Sequence, residues 1–486
     1  MTHRVIIDLD PDSLPAEAAE LFANGHRLAL VAAREIDVVY LFTATGPDRR
    51  TELRVRLPSG EPAVPSLAGL SFPAGRFERE MRDLYGIEPL NHPLPRRLVR
   101  HHHWPRGWYP MRADAGPPPS FSDPEGPYPF VTVEGPGVYE IPVGPVHAGL
   151  IEPGHFRFSV VGESILKLKA RLWFVHRGIE KLFEGRTPAG GLELAERVSG
   201  DTSAGHALAY CLAVEEATGT TVAPEVQRGR AVLLELERLY NHVTDLGALC
   251  NDVAHSILHA HTGRVREQLL RVNDQVTGHR LLRGGITPGG VRLRALPDPD
   301  VLAAIGADVA EIADLALGHT VVADRFTGTG ILPPRAARDL GTLGYVARAS
   351  GLDLDARRDH PFVDLGPFPV ATRTDGDVLA RFQVRAQEIG TSIELITRLL
   401  GGIAPGTAGA SLSQDTASGV GIVEGWRGAI VHRVQLAADG TLARVKIVDP
   451  SFVNWPALPI ALNGAIVPDF PLVNKSFNLS YAGNDL

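Results

Sequence analysis

The spacing of apolar side chains changes partway along this chain, and the change divides it. Residues 26–33 and 38–44 are apolar runs rich in branched side chains, separated by a short charged turn, which predicts a hairpin. Residues 52–57 alternate strictly between polar and apolar, as a half-buried strand does. Residues 77–85 read as a helix ended by Gly86, a residue that accepts the left-handed backbone closing a helix. These elements predict a small α+β domain over residues 1–112. A second domain is expected over residues 135–486. It opens with strands at 156–161 and 164–169, turning at Gly162-Glu163. The spacing then becomes helical. A helix at 203–218 ends at Gly219, and Pro224 opens a long one on which Leu233, Leu236, Tyr240, Val243 and Gly247 recur at helical spacing. Helices at 264–276, 301–317 and 378–400 follow. Residues 422–450 return to alternation around Asp439-Gly440, a hairpin turn. Between the domains, residues 105–130 are dense in proline and glycine, with Pro117-Pro118-Pro119 at their centre, and 113–134 are read as an extended linker.

Composition narrows the function classes. A chain of 486 residues can bury a substantial core, and 44% apolar with 21% charged residues is ordinary for a water-soluble domain. A net charge of -8 argues against a general nucleic-acid binder. No apolar run approaches the roughly 18–20 residues that span a bilayer, and no signal-peptide core follows Met1. Cys211 and Cys250 are the only cysteines, too few for a disulfide framework or a thiolate cage.

Several polar clusters could carry chemistry. Residues 144–157 pack His147, Glu152 and His155 among glycines in one loop before a strand. Glycine lets backbone approach a ligand, and histidine moves protons near neutral pH. A structured loop with hydrogen-bonded histidines fits the same residues. Glu180, in Val175-His176-Arg177-Gly178-Ile179-Glu180-Lys181, fits either a proton relay or a salt-bridged cap. His242, Asp245 and Asp252 share one face of the long helix, as a buried network or as a solvated face. His101-His102-His103-Trp104 reads as a surface loop. The glycine pairs at 284–285 and 289–290 lack the lysine of a phosphate loop, and no dinucleotide fingerprint is present.

Arg197-Val198-Ser199-Gly200-Asp201-Thr202-Ser203-Ala204-Gly205-His206 resembles the first metal loop of a nickel–iron hydrogenase large subunit, with Ser199 and Thr202 where its cysteines stand. The tail from Pro471 to Asp485 resembles the second such motif, with Ser480 and Gly483 in the cysteine positions. Arg79-Glu80, Asp83-Leu84-Tyr85-Gly86-Ile87 and His92-Pro93 resemble the C subunit of respiratory complex I. Asn241-His242, Arg283-Gly284-Gly285, Gly376-Asp377 and Asp449-Pro450-Ser451-Phe452 resemble its D subunit. The two fused in one chain resemble the hydrogenase-4 component G and formate hydrogenlyase large-subunit family.

The resemblance implies a C-like α+β domain followed by a mostly helical, hydrogenase-like domain with small flanking sheets. It implies an oxidoreductase subunit on the cytoplasmic face of the cell membrane, in a hetero-oligomer with an iron–sulfur small subunit and ion-pump-like membrane subunits. Soft thiolate ligands are lost at all four positions, so a working nickel–iron hydrogenase is not expected and no metal is. The iron–sulfur cluster would belong to the partner. In complex I the equivalent site is a quinone pocket using a histidine, an aspartate and a tyrosine. By position His155 and Asp252 match the first two, and Gly200 occupies the third. The expectation is therefore one pocket in which His155, Asp252 and Glu180 handle protons, bordered by His147, His206 and Gly200, receiving a quinone or another acceptor. The alternative is a non-catalytic subunit that couples its neighbours.

Overall fold

Asp37–Ala44 is buried along its whole length, and the N-terminal sheet is built around it. In this computed structural model, which describes residues 4–46, 48–58, 60, 62–121, 126–413 and 417–486, the sheet order is Arg4–Leu9, Arg49–Arg56, Asp37–Ala44, Arg27–Ala33. The last pair is the expected antiparallel hairpin. Arg4–Leu9, which the pattern did not predict, joins Arg49–Arg56 in parallel. The expected helix is longer than its apolar spacing suggested. It runs Phe72–Tyr85, with Pro73 in its first turn, and closes at Gly86 with φ 73°. Its interior carries buried Glu78, Arg79, Glu80 and Asp83 because both of its faces are covered.

The second domain is mostly helical. Pro224–Asp252 packs against Ser256–Thr277 and Val378–Leu399. Ser203–Thr218 lies on the sheet formed by Ser418–Gly425, Gly428–Leu436 and Leu442–Val448. The contact is close because glycine is there: a Cβ on Gly421 would fall 1.9 Å from the Ala209 carbonyl oxygen. His155–Val161 and Ser164–Arg171 pair as expected around Gly162, and Val138–Val143 adds a third strand. The Asp439-Gly440 turn joins Gly428–Leu436 to Leu442–Val448.

The two halves share a wall. Glu52 receives Arg4 from its own sheet and Arg433, at 2.8 Å, from the other domain. Phe77 stacks on Phe452 with ring centroids 4.7 Å apart. Among the described residues no helix or strand lies between Glu88–Leu90 and Val138–Val143. Within this stretch, which contains the expected linker, the Tyr128 ring is held by side chains of both domains: the Arg97 and Arg171 guanidiniums lie over it. No helix among the described residues is long and apolar enough to cross a membrane.

Candidate functional site

Three segments converge on one cavity. Glycine-supported contact of Ser203–Thr218 with the sheet sets the loop 197–206 above it, and the tail helix Tyr481–Asp485 comes in from the opposite side. The Ser480 hydroxyl caps that helix by accepting from Gly483 N at 2.9 Å, as an N-cap serine does. Residues 150–152 close the third side. The cavity holds about 340 Å³ and is lined by Leu150, Ile151, Glu152, Ser199, Gly200, Asp201, Arg427, Asn474, Lys475, Asn478, Leu479, Ser480 and Tyr481.

Its base is polar and fixed. Ser199 Oγ lies 2.8 Å from Ser480 Oγ and donates to Asp201 Oδ1 at 3.0 Å. Asp201 takes both Arg427 Nη atoms at 2.7 Å. Burial opposes ionisation of Asp201, but Arg427 outweighs it and holds the carboxyl below its usual range. Arg427 in turn lies over the Trp426 ring, 3.9 Å from its centroid. Below this layer Asn478 Nδ2 donates to Asp245 at 2.6 Å, and Asp245 pairs with Arg385 at 3.0 Å. His242 Nε2 meets Glu388 at 2.8 Å. Burial pushes the His242 pKa to about 4, so the ring is neutral at pH 7. The expected buried network on the long helix is thus present for His242 and Asp245. Asp252, at the exposed end of that helix, is outside it.

The expected residues do not form one pocket. Gly200 lines the cavity, with no atom close to where a Cβ would stand. His155 is half-buried, with Nδ1 3.1 Å from the Gly144 carbonyl and its ring beside Phe130, and does not line it. His206 is fully buried beneath it. A carboxylate at Asp449 only accepts, so His206 donates to it from Nε2 at 3.0 Å, and Nδ1 lies 2.9 Å from His432 Nε2. Glu180 is at the domain junction, accepting from Ile447 N at 2.8 Å and paired with Lys446 at 3.1 Å. Burial, with Lys446 opposing it, raises its pKa. Asp252 reaches the cavity only through the charge of Lys475. A loop histidine, a helix aspartate and a junction glutamate were grouped by motif position. The turn geometry and ion pairs that separate them leave no trace in apolar spacing.

Sequence reasoning missed Tyr481 and Lys475. Tyr481 follows the lost ligand position Ser480, and its buried hydroxyl makes no well-formed hydrogen bond, the Asn474 side chain being its near polar neighbour. Burial pushes its pKa up, so it is a protonated donor. His147, whose Nε2 is also buried and unpartnered, has its ring centroid 6.5 Å from that of Tyr481. Tyr210 is spent on the Pro188 carbonyl at 2.7 Å, and Tyr240 donates to the Asp201 carbonyl at 3.2 Å.

The four positions that would carry thiolates do not fit a nickel–iron centre. Only Ser199 and Ser480 face the cavity. Thr202 donates to Asp201 and accepts from Trp426 Nε1 at 3.1 Å. At Gly483 even a Cβ would stand 2.5 Å from Asp449 Cγ. Hydroxyls at ordinary pH are neutral, hard donors, and no group of three or more histidines, cysteines or carboxylates among the described residues is placed to hold an ion.

Comparison with known proteins decides the family. Residues 8–119 match the model of the respiratory-chain NADH dehydrogenase 30 Kd subunit, and residues 252–418 match that of its 49 Kd subunit. Formate hydrogenlyase subunit 5 of Escherichia coli (strain K12) is 34% identical over 450 residues, which is 89% of this chain and 79% of that protein. Hydrogenase-4 component G of the same strain is 35% identical over 444 residues, 88% of this chain and 75% of that protein. The chain belongs to this family. The family's fused arrangement is seen again in the C/D polypeptide of NADH-quinone oxidoreductase from Phocaeicola vulgatus, 30% identical over 76% of each chain. A subunit of the membrane-bound sulfane sulfur reductase, an archaeal respiratory membrane complex, shares the fold with a TM-score of 0.66. It is 24% identical and aligns over 72% of this chain and 99% of its own. The chain is therefore an oxidoreductase-family subunit of the hydrogenase-4 and complex I-related kind.

Proposed function

We propose that this chain is the metal-free large subunit of a membrane-associated redox complex and that the cavity at Ser199, Ser480 and Tyr481 receives its electron acceptor, a quinone-like ring. The observation that carries the reading is the hydrogen bond between Ser199 and Ser480, which puts two hydroxyls where a metal centre would need thiolates. Leu150, Ile151 and Leu479 supply apolar walls, and Tyr481, Lys475 and Asn474 supply donors toward a ring carbonyl. The combination of apolar walls with a few converging donors suits such a ring.

Reduction of a quinone to a quinol takes two electrons and two protons. In this reading the electrons come from an iron–sulfur cluster on a small partner subunit; the two cysteines of this chain, Cys211 and Cys250, are both buried and stand in neither ligand motif. The protons are the part this chain controls. Tyr481 donates one proton to the carbonyl oxygen on which charge builds and is re-protonated from solvent, which also supplies the second proton through the open side of the cavity, and the Lys475 ammonium stabilises the developing charge. The membrane subunits of such a complex would anchor the chain at the cytoplasmic face.

The test uses the intact complex from its native host and a short-chain ubiquinone analogue. Tyr481→Phe should lower acceptor reduction by roughly 10²-fold, the low end for a lost acid–base group, with assembly unchanged. Wild-type turnover in both Tyr481→Phe and Lys475→Ala would discard the catalytic cavity in favour of a subunit that only couples its neighbours.

A further inference from the structure

A second, larger opening lies at the junction of the two domains, away from the site above. One chamber of about 450 Å³ is bounded by the strands at Arg27 and Thr43 and by the turns at 341–344 and 351–356 of the second domain. A neighbouring chamber of about 720 Å³ has an apolar wall that includes Phe22, Leu28, Leu70, Phe72, Val431 and Val453. Arg27, Arg338, Gly341 and Leu343 line both, so the two are continuous. Both volumes fall in the range of small-molecule sites.

The charges at the shared wall are uneven. Each carboxylate of the first chamber is already held. Glu424 accepts from Arg348 at 2.7 Å and from Ala356 N at 2.9 Å. Asp355 pairs with Arg357 at 2.6 Å, and Asp359 and Asp353 both pair with Arg358. His360 is bonded to Asp48 at 2.7 Å. The Arg27 and Arg338 guanidiniums, by contrast, make no hydrogen bond or close ion pair with any described residue. Burial lowers the Arg27 pKa, with Glu424 and Asp359 opposing it. The Thr43 hydroxyl in the same chamber is 1% exposed and has no partner. A buried hydroxyl without a partner is costly unless a ligand supplies one, and the Arg27 guanidinium opens onto the same chamber. On the far side the apolar wall ends in Leu70 and Phe72, which are 49% and 45% exposed.

We propose that this junction binds an amphipathic anion. Its carboxylate or phosphate head is held by Arg27, Arg338 and Thr43, and its apolar chain lies along Phe22, Leu28 and Leu70. The ligand contacts both domains at once, so its binding fastens them together. A free fatty acid and an acidic lipid share this chemistry, and the experiment separates them.

The purified full chain is titrated by calorimetry with decanoate, with dihexanoyl phosphatidic acid, with decanol and with inorganic phosphate. Saturable binding of decanoate or of the phosphatidic acid, one per chain, is expected, and the tighter of the two names the source. Decanol, which has the chain without the charge, and phosphate, which has the charge without the chain, should bind at least tenfold more weakly. Arg27→Ala should weaken binding roughly 10- to 100-fold, as the loss of a charged hydrogen-bond partner does. Arg338→Ala, on an exposed helix end, and the near-isosteric Thr43→Val keep the test open if Arg27→Ala unfolds, and each should weaken binding about 3- to 10-fold. No saturable binding of either amphiphile would overturn the proposal. So would equal affinity in the Arg338 and Thr43 variants, or phosphate binding as tight as decanoate.

Discussion

Ser199 and Ser480, 281 residues apart in sequence, meet with their hydroxyl oxygens 2.8 Å from each other. One lies in the loop that leads into the sheet-packed helix, and the other caps the helix Tyr481–Asp485. A pair of neutral hydroxyls at hydrogen-bond distance stabilises itself, whereas a pair of thiolates there would repel without a cation between them. The relationship is the observation on which the proposed metal-free reading of the site rests.

Glycine at 483 is part of the same arrangement. Gly483→Cys, which would restore one ligand position, forces a side chain against Asp449 and through it against His206. We expect a loss of roughly 1–3 kcal/mol from overpacking, measured by urea unfolding, and no gain in nickel binding when it is combined with Ser480→Cys. A Gly483→Cys protein as stable as wild type would show that the tail yields at this contact.

Asp201→Ala leaves the buried Arg427 guanidinium without its carboxylate. Breaking a buried pair from one side costs about 3–5 kcal/mol, and the half-exposed position of Asp201 puts the expected value at the low end, about 3 kcal/mol. Replacing both partners, as in Asp201→Ala with Arg427→Met, should recover part of the loss. A double-mutant cycle reads the coupling directly, and strict additivity would deny the pairing.

His155→Ala should leave acceptor reduction within a few-fold of wild type, because His155 faces Gly144 and Phe130 rather than the cavity. This reverses the expectation from motif position. A loss as large as that predicted for Tyr481→Phe would return His155 to the site and move the cavity toward it.

Glu78 gives a pH dependence of stability. Burial raises its pKa from the ordinary 4.5 to about 7, against hydrogen bonds from Ser66 and Leu67 N. The folded chain keeps this proton at pH values where the unfolded chain has released it. Its stabilising contribution is full below about pH 4.5 and is lost as pH rises through about 7. The span corresponds to an effect of about 3 kcal/mol. Glu78→Gln should flatten this part of the stability–pH curve, and an unchanged curve in the variant would refute the assignment.

Much of the architecture was legible in the sequence because apolar spacing reports which faces are covered. The hairpins at Gly162 and Gly440, the helix closed by Gly219 and the long helix from Pro224 all appear where spacing and turn residues put them. The strand Arg4–Leu9 was missed because it is a parallel edge strand that buries little and does not alternate cleanly. The lost ligand positions were legible as motif gaps. Tyr481 was not, because nothing local marks a tyrosine whose hydroxyl is kept from a well-formed hydrogen bond by packing against Gly154 and Trp455. Placing His155, Glu180 and Asp252 together failed for the same reason: motif order carries no distances.

The most direct test of the central claim is the nickel content of the intact complex purified from its native host. Four positions that lack thiolates, one of them closed by Asp449, predict nickel far below one atom per chain, whatever metal was supplied during growth. Stoichiometric nickel that survives chelation and co-purifies with this chain would contradict the account.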